Sequence, residues 1–182
     1  MTTYLAFLRA VNLGAKRKFP KDDIRRVVEG VGFTGVETYI ASGNVRFDTT
    51  MRSRDRITQM LERAFLEDRG FDVPTIVFSA SEFAELARET ARLHAERPGL
   101  ARHYVYLLPE EPPASVVEAV EATSNDLGDM VVRGRAAHAL LRPGYEDGVV
   151  DPLGATKLLG IATNRNATVV TTLGEKWCTP AR

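Results

Sequence analysis

Apolar residues along the chain follow two rhythms, and the order in which these alternate predicts the fold. Residues 4–11 form a nearly continuous apolar run with aromatic and β-branched members, stopping at Asn12-Leu13-Gly14. That is the pattern of a buried strand followed by a turn. Beyond the basic loop Lys16-Arg17-Lys18, Pro20 opens a helix whose first turn carries Asp22 and Asp23, which complement the positive end of the helix dipole. Ile24, Val27, Val28 and Val31 recur at helical spacing as one stripe, closed by Gly30 and Gly32. Residues 36–40 and 45–48 are β-rich runs around Ser42-Gly43-Asn44, and Gly and Asn tolerate the positive φ of a hairpin tip. A second helix, with Ile57, Leu61, Ala64 and Phe65 on one face, closes at Gly70, and residues 73–78 form another strand. Strand, helix, strand, strand, helix, strand is the split βαβ, or ferredoxin-like, order.

Ser79-Ala-Ser-Glu82 is a capping box opening a third helix that carries Phe83, Leu86, Ala87 and Thr90 on its inner side. Glu96-Arg-Pro98-Gly99 then reads as the linker. The order restarts after it. Residues 103–108 form a strand, Pro113 opens a helix bearing Val116, Val117 and Val120, and residues 130–132 and 139–141 flank a tip at Gly134. The two halves share this order without residue identity. The expected fold is α+β: two tandem ferredoxin-like (alpha/beta plait) subdomains with antiparallel-rich sheets and extra helices. The first spans residues 1–80, a connecting helix and linker spans 81–99, and the second, with a helical tail, spans 100–182. The open question in the tail is residues 168–173, which are β-branched and by propensity alone a strand.

Composition narrows the classes of function. At 182 residues, 44% hydrophobic and 26% charged, the chain can build its own core without a disulfide or metal. Twenty-four basic residues balance twenty-four acidic ones, so no global field draws it to nucleic acid or membrane. A single cysteine excludes an internal disulfide or a multi-cysteine zinc site. The start has no signal-peptide pattern and no apolar stretch approaches a membrane span, so the expected location is the cytoplasm. Charge is nonetheless uneven. Residues 1–21 hold Arg9, Lys16, Arg17, Lys18 and Lys21 and no acid, whereas residues 109–130 hold six acids, Glu118 and Glu121 among them, and no base.

Topology brings the candidate chemistry together. In a split βαβ unit the first and second strands are parallel with the third between them, so the end of strand one and the hairpin tip share a sheet edge. Arg9, Asn12 and Gly14 lie on one side of that edge, and Ser42, Gly43 and Asn44 on the other. Exposed N–H groups with a guanidinium fork suit a phosphate or carboxylate. From spacing alone, turn chemistry is the favoured account of Asn12, Gly14, Gly43 and Asn44; Arg9 is harder to dismiss, because a guanidinium on an apolar strand must find a partner or leave the core. The three histidines have no metal-ligand spacing, Cys178 has no CxxC partner, and nucleophile-elbow, P-loop and dinucleotide fingerprints are absent. No cofactor or metal is called for. Gly43-Asn-Val-Arg-Phe47 has too few aromatics for a conventional single-strand RNA reader, so nucleic acid is not favoured.

Three segments together resemble a known bacterial family. Residues 4–14, Tyr-Leu-Ala-Phe-Leu-Arg-Ala-Val-Asn-Leu-Gly, resemble its opening "LLRGINVGG"; residues 38–47 resemble its hairpin "TYIQSGNVVF"; residues 162–169 resemble its late "TTRNWNTV". The family is catalogued as domain of unknown function 1697, and the resemblance spans nearly the whole chain. It implies two tandem ferredoxin-like subdomains, a helix from about residue 168 to 177 against β-propensity, and no assigned activity. It adds Thr163, Arg165, Asn166 and Thr168 to the motif residues. Departures are Ala10 and Ala15 where the family has glycine, and a third motif one residue short that lacks its tryptophan. Arg165 and Asn166 precede a helix N-terminus that would welcome an anion or simply be capped.

The expectation is an uncharacterised cytoplasmic protein that binds a small anionic ligand, a nucleotide or phosphorylated metabolite. Arg9 and Arg165 would pair the anion, with Asn12, Gly14, Ser42, Gly43, Asn44 and Asn166 around it. The alternatives are an enzyme of phosphoester or acyl transfer and a module that docks a protein partner through its acidic helix. An exposed sheet face leaves packing between lobes, or a homodimer, as further expectations.

Overall fold

A computed structural model describes residues 1–149 and 151–178; the last four residues of the expected second subdomain lie outside the described residues. The chain divides into two compact units, Met1–Phe83 and Ala84–Arg182. The first unit runs β1 (Thr2–Leu8), α1 (Lys21–Gly30), β2 (Thr34–Tyr39), β3 (Asn44–Thr49), α2 (Arg54–Arg69) and β4 (Thr75–Ser79). Its sheet order is β2-β3-β1-β4, every neighbouring pair antiparallel, with Leu5 opposite Arg46 on one side and Phe78 on the other. This is the split βαβ arrangement expected from the element order.

Strand parity explains why β1 can be apolar throughout. Tyr4, Ala6 and Leu8 face one core with Ile24 and Val28 of α1, Phe47 of β3 and Ile57, Leu61 and Phe65 of α2. Phe7 points the other way, against Phe78 and Phe83 with ring centroids 6.0 and 5.0 Å away. Phe47 stacks on Phe33 at 4.6 Å inside the first core, so it offers no surface for an unstacked base. Caps work as the residue types dictate. Ser53 Oγ accepts from the Arg56 N–H at the start of α2, and Gly70, at φ 75°, ends it. At α3 (Ala80–Ala95) the Glu82 carboxylate accepts from the Ser79 N–H at 2.8 Å while Ser79 Oγ accepts from the Glu82 N–H, a completed capping box.

The second unit repeats the plan: β5 (Arg102–Leu107), α4 (Ala114–Glu121), β6 (Gly128–Arg133), β7 (Ala136–Leu141), α5 (Thr156–Leu159), β8 (Thr163–Asn166) and α6 (Ala167–Trp177). Its sheet order, β6-β7-β5-β8, is again fully antiparallel. Tyr106, Val120, Met130, Ala139 and Leu141 build one core, and Leu93 of α3 packs with Val131 and Leu140 on the opposite face. The β-branched tail is helical. Ala167, Val170, Leu173 and Trp177 are buried along one side of α6, and that burial outweighs the few tenths of a kcal/mol by which Val and Thr disfavour a helix. Among the described residues no helix is long and apolar enough to cross a membrane.

Candidate functional site

In the first unit the end of β1 and the hairpin tip meet at one edge. The Leu8 N–H donates to Gly43 O at 2.8 Å, and the Arg9 N–H donates to Pro74 O at 2.8 Å. Beyond Leu8 the backbone turns through positive φ at alternate residues, 56° at Ala10, 57° at Asn12 and 72° at Gly14. Asn12 clips this loop in place. Its Nδ2 donates to Phe19 O at 3.0 Å and to Ala41 O of the hairpin at 2.6 Å, and its Oδ1 accepts from the Phe19 N–H at 2.8 Å. Arg17 braces the same loop: Nε donates to Ala10 O at 2.6 Å, Nη2 to Asp72 O at 2.5 Å, and the guanidinium lies 4.5 Å over the Phe71 ring.

The hairpin tip is equally constrained. Buried Asn44 donates from Nδ2 to Tyr39 O and to Ser42 Oγ, both at 2.9 Å. Gly43 has φ 77°, and a Cβ there would stand 2.8 Å from both Leu8 Cβ and Val11 Cγ2, so glycine is what lets the tip approach β1. Ile40 adopts φ 48°, an outlying conformation for a β-branched residue. The amides of Asn12 and Asn44 thus hold backbone, and Gly43 holds the close approach.

Arg9 differs from all of these. Strand β1 stops at Leu8, and the Arg9 side chain leaves the core for solvent, where no described residue gives it a hydrogen bond or ion pair. The backbone N–H groups of Ala10, Val11, Leu13 and Gly14 likewise donate to no described group. Lys16, Lys18 and Lys21 follow, all exposed. A free guanidinium on a loop with two pairs of unbonded N–H groups, either side of an Asn12 N–H that donates to Arg17 O at 2.7 Å, is an arrangement that can receive oxyanion charge. The sequence pattern pointed to Arg9 and Gly14. It did not point to Leu13 or Ile40, which are 69% and 46% exposed at this edge.

The third motif belongs to the second unit and has a different character. Arg165 lies on β8 opposite Val105, only 6% exposed, and its Nη1 donates to Thr163 Oγ1 at 2.8 Å and Asn164 O at 2.7 Å. Burial lowers its pKa to about 10. Asn166 occupies the N-cap of α6, exposed and with no side-chain capping bond.

The second unit also buries a histidine pair that the chain order does not reveal. His103 Nε2 lies 3.0 Å from His138 Nδ1, and His94 stacks on His103 at 5.6 Å. His103 Nδ1 and His138 Nε2 are buried with no hydrogen-bond partner among the described residues. Burial, reinforced by His138, His94 and Arg97, lowers His103 to about 3; burial, with Arg133 and Arg97 against Glu89, lowers His138 to about 4. Both rings are therefore neutral at pH 7. Among the described residues no group of three or more His, Cys, Asp or Glu is placed to hold a metal ion.

Two successive four-stranded α+β units, each with the same strand order, define a tandem ferredoxin-like protein. The chain belongs to the family described as "Protein of unknown function (DUF1697)", whose model matches residues 1–138. It is similar in structure to the conserved bacterial protein SP0830 from Streptococcus pneumoniae, with a TM-score of 0.72 and 25% sequence identity over 98% of this chain and 99% of that one. No curated protein matches the chain. Membership fixes the architecture and assigns no reaction.

Proposed function

We propose that the first unit binds a small ligand through an anionic group, a phosphate or carboxylate, at the loop from Arg9 to Gly14. The observation that carries this reading is the solvent-exposed Arg9 guanidinium, without an internal partner, next to the free N–H groups of Ala10, Val11, Leu13 and Gly14. Arg9 supplies the charge-assisted fork and the N–H groups the oriented dipoles. Asn12, Ser42, Gly43 and Asn44 fix the loop and hairpin in register, so they act on the ligand through the backbone they hold. Gly14 leaves room: a Cβ there would meet nothing within 4 Å, but its φ of 72° favours glycine. Nucleotides and phosphorylated metabolites are the ligand class that fits. Arg165, tied up inside the second unit, is not used in this reading.

The test is a thermal-shift screen with nucleotides, sugar phosphates and inorganic phosphate on the intact chain and on Arg9→Ala. A ligand at about 100 times its dissociation constant adds roughly 2.7 kcal/mol of stability. A stabilising ligand whose effect disappears in Arg9→Ala, with the unliganded melting point unchanged, supports the reading; an equal shift in the variant overturns it.

A further inference from the structure

The same edge carries apolar groups that an anion alone does not explain. Leu13 is 69% exposed between Asn12 and Gly14, and Ile40 is 46% exposed beside Ala41, whose carbonyl Asn12 holds. The Asn12 clip therefore brings the two aliphatic side chains to one loop–hairpin junction. Ile40 stays exposed although its φ of 48° is costly for a β-branched residue, and Asn or Gly would adopt that φ more easily. The segment that carries Leu13 also carries Arg9, Lys16, Lys18 and, at the start of α1, Lys21, all exposed and none ion-paired among the described residues. The first acids along the chain are Asp22 and Asp23, of which Asp23 is engaged by Arg26 and Arg69.

Exposed aliphatic side chains beside a segment of unpaired cations match the boundary between anionic headgroups and acyl chains. They do not match a nucleic-acid platform, which stacks bases on aromatic faces. The neighbouring aromatics Phe19, Phe33 and Phe47 are all buried. Resting on the anion-site reading above, we infer that the phosphate received at Arg9 is presented by an anionic bilayer surface. Leu13 and Ile40 enter the headgroup–acyl boundary, and Lys16, Lys18 and Lys21 lie against the surface charge. The chain is then a reversible peripheral binder held by a few cations and two side chains.

The test is co-sedimentation of the full chain with vesicles of phosphatidylcholine alone and of phosphatidylcholine with one-third phosphatidylglycerol. Inorganic phosphate and a single-stranded oligonucleotide serve as soluble probes. Binding should require phosphatidylglycerol and weaken as salt rises. It should fall about a hundredfold when Arg9, Lys16 and Lys18 are all replaced by Ala. The decisive variant is Ile40→Asn, outside the anion-binding loop, which leaves every charge in place and relaxes the strained φ. It should lose roughly fivefold in vesicle affinity while its response to phosphate is unchanged. Equal binding to neutral vesicles, unchanged vesicle binding in this variant, or tighter binding to the oligonucleotide overturns the inference. Should phosphate act through Arg9 while no vesicle binds, this inference falls and the anion site stands. Silence with both probes removes both.

Discussion

Lowering the pH from 7 to 5 should destabilise this protein through two residues, His103 and His138. Both are buried, joined at 3.0 Å, and held neutral at about 3 and about 4 against the ordinary value near 6.5. Unfolding exposes them, and at pH 5 each unfolded ring takes up a proton that the folded ring refuses. With folded values below unfolded ones, stability is fully present above about pH 6.5 and drains away as the pH falls towards 4. Integrated from pH 7 to 5, the loss is about 2 kcal/mol per ring and about 4 kcal/mol for the pair. Glu89, the nearest acid on α3, is held below the usual carboxylate range by Arg92, so it titrates beneath this window. Urea unfolding at pH 7, 6 and 5 measures the slope. A His103→Leu, His138→Leu double variant removes both rings and should flatten it, because replacing both partners of a buried polar pair by apolar groups can be nearly neutral for folding. A wild-type change under about 1 kcal/mol across this range, or an undiminished slope in the double variant, would refute the reasoning.

Two substitutions probe the edge itself. Gly43→Ala forces a side chain at φ 77° into atoms 2.8 Å away, at a cost of about 3 kcal/mol. For a chain of this length that lowers the melting point by roughly 10 °C, and a shift within error of zero would contradict the close approach of hairpin and strand. Ala10→Gly removes an alanine from φ 56°, and the relief exceeds the added freedom of the unfolded chain, leaving a gain of about 0.5 kcal/mol. A lower urea midpoint in that variant would show that the loop does not hold this backbone.

The first split βαβ half, and the strand, helix and hairpin that open the second, were legible because each signal was local: an apolar run, a proline at a helix start, a Ser-Gly-Asn tip, a capping box. The short α5 and β8 carried no such signal. The tail shows where local signals compete. Thr168 to Leu173 reads as strand by side-chain branching, yet Ala167, Val170, Leu173 and Trp177 keep helical spacing, and the buried stripe decides. The candidate edge was legible only as residue types. Spacing could say that Arg9, Asn12 and Gly43 converge, but not that Asn12 spends its amide on Phe19 and Ala41 while Arg9 keeps its guanidinium free. Arg165 looked like Arg9 on paper. It points into the second unit because it shares a sheet register with Val105, and pairing across strands is non-local information. The histidine pair was hidden for the same reason: 35 residues separate its members, and only the β5–β7 register joins them.

The most direct test of the anion site is a backbone amide titration by NMR with inorganic phosphate or a nucleotide on the intact chain. The account predicts saturable shifts confined to the amides of Ala10, Val11, Leu13 and Gly14 and the Arg9 side chain, all abolished by Arg9→Ala, with Arg165 and Asn166 unmoved. Saturable shifts centred on Asn166 and Thr168, or none in the loop from Arg9 to Gly14, would contradict it.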